Sequence, residues 1–282
     1  MSTTFYPRED HPSDLIIITA DNVFFSVHKR ILLSKSQNSF GGLLHHEDAQ
    51  SFTGPLALSR PKPCFDHSLA VSESSEVFNL VLHAFYDFDP TSYKPTLDHI
   101  AGMLNILPQY GLPVAHIVTH GKPMYNLILG VALTSPLDVY ALVAQHRLEQ
   151  LAVEVSHHLI STPLHNLTDE HCLSMGPVYL RRLMFLHLGR TERLKRLLRD
   201  PPAGHRPTMQ CDAIDQKRKL AMVWKEGVSE LCWEASASTP VSLFHAVLSP
   251  IVDKLSCEEC KTSTREKIRK LIVDWTMVKT TI

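Results

Sequence analysis

SDLIIITADNVFFSVHKRILLSKSQNSFGGLL, residues 13–44, decides how the chain begins to fold. Leu15 to Thr19 is a β-branched run, Ala20 to Asn22 is turn-like, and Val23 to Val27 resumes strand character, so the spacing predicts a hairpin. At His28 the period changes. Ile31 and Leu32 take helical spacing, and a second short helical segment, weakened or kinked by Gly41 and Gly42, runs to Phe40, Leu43 and Leu44. Residues 45–66 gather prolines and a glycine in a polar stretch and read as a loop. His67 to Val71 alternates as a short strand.

Beyond it the strand signal fades. Val77, Phe78, Leu80, Val81, Leu82, Phe85 and Tyr86 form the broad apolar face of a helix with serines ready to cap it, and Asp89-Pro90 closes it. Leu97, Ile100, Leu104, Leu107 and Tyr110 repeat at three and four up to Gly111, a C-cap residue. Met124 to Leu133 reads as helix, Ser135-Pro136 opens another with proline at its first turn, and an apolar stripe continues from Leu148 to Leu159. Ser174 to Leu198 adds a further helix; Asp200 to Gly204 reads as a linker; two amphipathic helices, about 215–234 and 242–255, precede CEEC and a last helix. These segments suggest helical hairpins stacked on one another.

At 282 residues the chain can bury a substantial core without staples, and a formal net charge of −1 gives it no general pull toward nucleic acid or an anionic membrane. The polar start lacks the apolar core of a secretory signal, and no apolar run reaches membrane-spanning length. The expectation is an intracellular protein, cytoplasmic or nuclear, with reduced cysteines. P-loop, GxSxG, HExxH and GxGxxG patterns are absent from the sequence, which leaves the chemistries they serve without support and makes an enzyme the lesser expectation. Residues 181–200 carry many basic side chains, but leucines at helical spacing make one face core and the rest a solvated face.

The order of motifs resembles the BTB/POZ domain. SDLIIITADNVFFSVHKRILLSKSQNSFGGLL, then SLAVSESSEVFNLVLHAFYD and LDHIAGMLNILPQYGL follow that family's pattern of an acidic residue, a hairpin, His-Lys, Leu-x-x-x-Ser, a short strand and Val-Phe-x-x-x-Leu over about residues 13–112. SPLDVYALVAQHRLEQLAVEVSHHLI and GPVYLRRLMFLHLGRTERLKRLL are similar to the helical region that follows BTB domains in many fungal proteins. The resemblance implies an α+β domain, a small mixed sheet flanked by helices, followed by an all-α region. It also implies a protein-interaction adaptor without catalytic residues, acting as a homodimer or docking to a cullin ubiquitin-ligase scaffold. Two features depart from the pattern: loop 45–66 is long and proline-rich, and no recognisable client-reading domain follows. The expected organisation is a polar segment 1–12, the BTB-like domain 13–112, helical hairpins 113–200 and a tail 201–282.

Two constellations stand out. Asp14, His28 and Lys29 flank the hairpin and read either as a charged pocket for a partner or as capping and ion pairs that hold the strand end to the first helix. Cys257-x-x-Cys260 has zinc-knuckle spacing and needs two more ligands, for which His205 and Cys211, with Cys232 as a further choice, are available. Such a site implies a zinc-stabilised, regulatory and transcription-related protein as the alternative to the adaptor. Plain reduced thiols are the other reading of the same residues. The adjacent pairs His45-His46 and His157-His158 read as scattered surface histidines, because helical neighbours do not share a face.

Overall fold

The computed structural model describes residues 2–7, 12–44, 68–209 and 211–282. The predicted loop 45–66, the pair His45-His46, His67 and Cys64 lie outside these residues. Two compact units divide between Val155 and Ser156. Among the described residues no helix is long and apolar enough to cross a membrane.

In the first unit β1 (Leu15–Ile18) and β2 (Phe24–Val27) form the antiparallel hairpin, Leu15 opposite Val27 and Ile17 opposite Phe25. All four side chains are buried, as alternation on a one-sided sheet requires. After α1 (Lys29–Lys35), β3 (Ser68–Ala70) returns parallel to β1, with Leu69 beside Ile17. The order is β2-β1-β3 and the sheet is mixed. α2 (Ser75–Tyr86) sets Phe78 edge-on to Phe25, and Asp21 Oδ1 caps it by accepting from the Ser75 N–H at 3.0 Å. α3 (Leu97–Ile106) starts on a Thr96–His99 capping box. The short α4 (Val114–Ile117) precedes α5 (Pro123–Val131) and α6 (Pro136–Gln145), both opened by proline, and α7 (Glu149–Ser156) follows.

Two expectations for this unit are corrected. Residues 38–44 form a turn and not a second helical segment: Ser39, Phe40, Gly41 and Gly42 all have positive φ. Ser36 Oγ accepts from the Phe40 N–H and Asn38 Oδ1 from the Gly41 N–H, each at 2.7 Å, so polar side chains take the amides a helix would need. The start of the chain is also more than a polar segment. The Ser26 N–H donates to the Phe5 carbonyl at 2.9 Å, and the Phe5 ring is buried against His83, Tyr86 and Phe88.

The second unit is helical. α8 (Asp169–Arg199) breaks at Gly176, where φ is 67°, and Pro177 begins its longer part. α9 (Ala213–Trp233), α10 (Val241–Asp253) and α11 (Glu258–Thr276) share one core in which Leu194 and Leu198 of α8 meet Trp224, Leu231, Phe244, Leu248 and Trp275. The Trp224 indole donates to the Leu198 carbonyl at 2.8 Å. Buried Arg190 donates to the carbonyls of Ala237, Val278 and Lys279 at 2.7–2.9 Å and lies 4.5 Å from the Trp275 ring. Residues on both sides of 200–204 therefore belong to one unit, and the boundaries drawn from sequence at 112/113 and 200/201 fall inside the two units. The outer face of α8 is less polar than its arginines suggest, for Val178, Phe185 and Leu188 are more than half exposed.

Candidate metal centre

Four residues named from the sequence come together at one end of the second unit. His205 follows α8, Cys211 lies just before α9, and Cys257 and Cys260 begin α11. Their ligand atoms all lie within 4.8 Å of one another, so the cluster can hold a metal ion.

Local structure explains the convergence. Cys257 is the N-cap residue of α11 and Cys260 stands three positions later, a spacing that turns both side chains to the same end of the helix. Cys211 closes a tight turn with Thr208 through paired backbone hydrogen bonds of 3.0 and 3.2 Å, and the next residue, Asp212, caps α9 by accepting from the Ile214 and Asp215 amides. Gln216, on the first turn of α9, bridges the two ligand-bearing segments. Its Oε1 accepts from the His205 N–H at 3.3 Å, and its Nε2 points at Cys211 Sγ from 3.8 Å. Gly204 permits this approach: its φ is 81°, and a Cβ there would lie 2.4 Å from Gln216 Oε1.

The ring of His205 is oriented. Nδ1 lies 2.8 Å from Glu259 Oε2 and 2.7 Å from the Arg206 carbonyl, which makes it the N–H donor and leaves Nε2, 3.2 Å from Cys257 Sγ, on the cluster side. Some desolvation opposes a charge on the ring, yet the Arg206 carbonyl, Cys257 and Glu259 hold its pKa above the usual value. The thiols divide. Cys257 makes no close capping hydrogen bond, but the nearby amides of Cys260 and Glu259 draw it down to about 7, whereas burial followed by its two cysteine neighbours pushes Cys260 up to about 12. Cys211 and Cys260 Sγ are 3.8 Å apart.

The further choice, Cys232, is not part of the cluster. It sits near the end of α9 and packs against the main core of the unit. Glu259, Gln216 and Arg206 were not singled out from sequence. Glu259 was visible inside CEEC, but its partnership with a histidine 54 positions earlier depends on how the segment after α8 folds back.

The residues flanking the hairpin divide between the two readings. The Lys29 N–H donates to Asp14 Oδ1 at 2.8 Å, so Asp14 caps α1 from outside the helix. His28 pairs with the Tyr86 hydroxyl through both its backbone N–H (2.9 Å) and Nδ1 (3.0 Å). Asp14, His28 and Arg30 also line a cleft of about 470 Å³ with Phe5, Tyr86 and Phe88. Lys29 is itself buried and does not line it.

No protein-family model, no curated protein and no solved structure matches the chain.

Proposed function

We propose that the chain is a non-enzymatic adaptor whose first unit is a BTB/POZ-like docking module. The observation that carries this reading is the mixed sheet. The β1–β2 hairpin pairs with a third, parallel strand and is packed by α2, consistent with the small mixed sheet flanked by helices that the resemblance implies. Support on the helical side comes from Val178, Phe185 and Leu188, left exposed on α8 at intervals of seven and three that set them on one side of the helix, because exposed apolar surface gathered on one side is commonly a place where a partner binds. The test uses the purified full chain, weighed by light scattering on a sizing column alone and with the N-terminal domain of a cullin. A dimer or a stable cullin complex is expected. A chain that stays monomeric and binds no cullin overturns the reading.

A second reading concerns the second unit and has its own observation. We infer that its four-ligand cluster holds structural zinc. Three thiols and one imidazole form a closed donor set of the kind that fills all four tetrahedral positions and leaves none for catalysis. With zinc–sulfur bonds of about 2.3 Å a tetrahedron has a sulfur–sulfur edge of about 3.8 Å and a sulfur–nitrogen edge of about 3.6 Å. The corresponding separations are 3.8 Å for Cys211–Cys260 and 3.2 Å for Cys257–His205, so little movement is needed. Elemental analysis of chain purified under reducing conditions should give about one zinc per chain. A metal-free, fully folded second unit under those conditions overturns this reading and leaves the adaptor reading untouched.

A further inference from the structure

We infer that Cys211 and Cys260 form a two-electron oxidation site: a hydroperoxide joins them in a disulfide and thereby expels the ion from the His205, Cys211, Cys257 and Cys260 cluster. The inference rests on the zinc reading and adds a means of regulating that site.

Geometry selects the pair. Their sulfurs are 3.8 Å apart, and a disulfide is about 2.05 Å long, so an approach of less than about 2 Å closes the bond. Cys260 is fixed in the first turn of α11, while Cys211 lies on a turn outside any helix, where a small movement is cheap. Cys211, like Cys257, is half-buried and open to a small oxidant, and Cys260 is buried; of the two half-buried sulfurs, Cys211 is the one that sits on a turn free to close on Cys260. That places an accessible sulfur to be oxidised first and a shielded one to resolve it. The alternative bond, between Cys257 and Cys260, would close a ring across the N-cap and first turn of α11.

The chemistry balances. The Cys211 sulfur attacks the outer oxygen of the hydroperoxide; an S–O bond forms, the O–O bond breaks, and the alkoxide takes a proton and leaves as an alcohol. The Cys260 sulfur then attacks Cys211; the S–S bond forms, the S–O bond breaks, and hydroxide takes a second proton and leaves as water. Two thiolates lose two electrons and the peroxide gains them. The disulfide sulfurs carry no negative charge and are poor zinc ligands, and His205 with Cys257 supplies only half of a tetrahedral site. Zinc therefore leaves.

The test uses reduced full-length chain of measured zinc content. It is treated with a small excess of tert-butyl hydroperoxide while a chromophoric chelator reports released zinc, and its cysteine pairing is then read by differential alkylation and peptide mass spectrometry. The expected result is release of about one zinc per chain together with a Cys211–Cys260 linkage, both reversed by a thiol reductant and added zinc. The Cys232→Ser variant, altered outside the cluster, should behave as the parent does. Zinc-loaded chain that keeps its ion and its thiols, or that links Cys257 to Cys260 instead, overturns this inference alone. Chain with no zinc before oxidation overturns the zinc reading and this inference with it.

Discussion

Replacing Cys260 by serine separates a metal ligand from an ordinary core thiol. Cys260 is 4% exposed, packs with Leu220 and Leu255, and its sulfur faces Cys211 at 3.8 Å. Serine has nearly the same shape, so without zinc the cost is that of a hydroxyl in a partly apolar position, about 1–2 kcal/mol. With zinc the cost is larger. Binding of structural zinc by four ligands is worth about 10–16 kcal/mol, so one ligand carries roughly 2.5–4 kcal/mol, and at about 1.4 kcal/mol per tenfold Kd should rise roughly sixtyfold or more. Two measurements follow: a competition titration against a chelator for Kd, and urea unfolding of parent and variant in excess zinc and in excess chelator. The variant should lose at least about 2 kcal/mol more relative to the parent in zinc than in chelator. An equal loss in both, with Kd within a few-fold of the parent, would refute the ligand role and return the four residues to plain packing.

Glu259→Gln should weaken zinc binding by only about tenfold, the low end for a group that orients a ligand, because the Arg206 carbonyl still accepts from His205 Nδ1; the same titration reads it. Asp14→Ala removes the cap on the Lys29 amide and should cost about 1 kcal/mol in urea unfolding of the full chain. Gly227→Ala should destabilise the second unit by about 1 kcal/mol: its Cβ would lie 2.9 Å from Ile251 Cγ2, an overpacking cost of roughly 1–3 kcal/mol that the better helix propensity of alanine only partly offsets. Burial lowers the pKa of His83, His146 and His187, so below about pH 6.5 the unfolded chain binds more protons than the folded one and stability falls with the pH. His205, whose pKa is raised, opposes this. Tm measured in chelator should therefore drop between pH 7.5 and pH 5.5, and His83→Gln should flatten the slope, whereas an unchanged slope counts against His83 as a source.

The hairpin was legible because two runs of strand-forming residues, Leu15 to Thr19 and Val23 to Val27, flank a turn-like Ala20 to Asn22. The side of β1 on which β3 would pair was not, since the parallel partnership joins segments some fifty residues apart and no local period encodes it. Residues 38–44 were misread because hydrophobic spacing ignores the competing hydrogen bonds of Ser36 and Asn38. Phe5 was hidden by its polar neighbours. At the candidate metal centre the Cys257–Cys260 spacing was readable, and His205 and Cys211 were named with it. Preferring Cys211 to Cys232 depends on the fold: the turn before α9 puts one beside α11's first turn, and the last turns of α9 put the other in the core.

The place of the cluster follows from where burial runs out. Among the described residues, eleven buried side chains make the main core of the second unit, but only Leu220, Leu255 and Cys260 make the smaller one at the end where the cluster lies. The connection between α8 and α9 brings little apolar surface to that end: Pro202 is buried, but Met209 and, just past the connection, Ile214 are largely exposed. A segment that buries so little has little to offset its ordering entropy. Apart from the Thr208–Cys211 pair, which lies within it, and the Asp212 cap at the start of α9, its described hydrogen-bonded ties are the Gln216 contacts and the ligand residues themselves. A metal joining His205 and Cys211 to the start of α11 would supply there the cross-link that packing does not. Unlike a zinc finger, whose small core disappears with the metal, this unit has a Trp224, Phe244 and Trp275 core that excludes the ligand residues and should persist without a metal. Chelation should therefore leave helical circular dichroism nearly unchanged while amide exchange accelerates across residues 204–212 and the first turn of α11. Global unfolding on chelation would mean that the main core does not stand without the metal and that the division between the two cores is wrong.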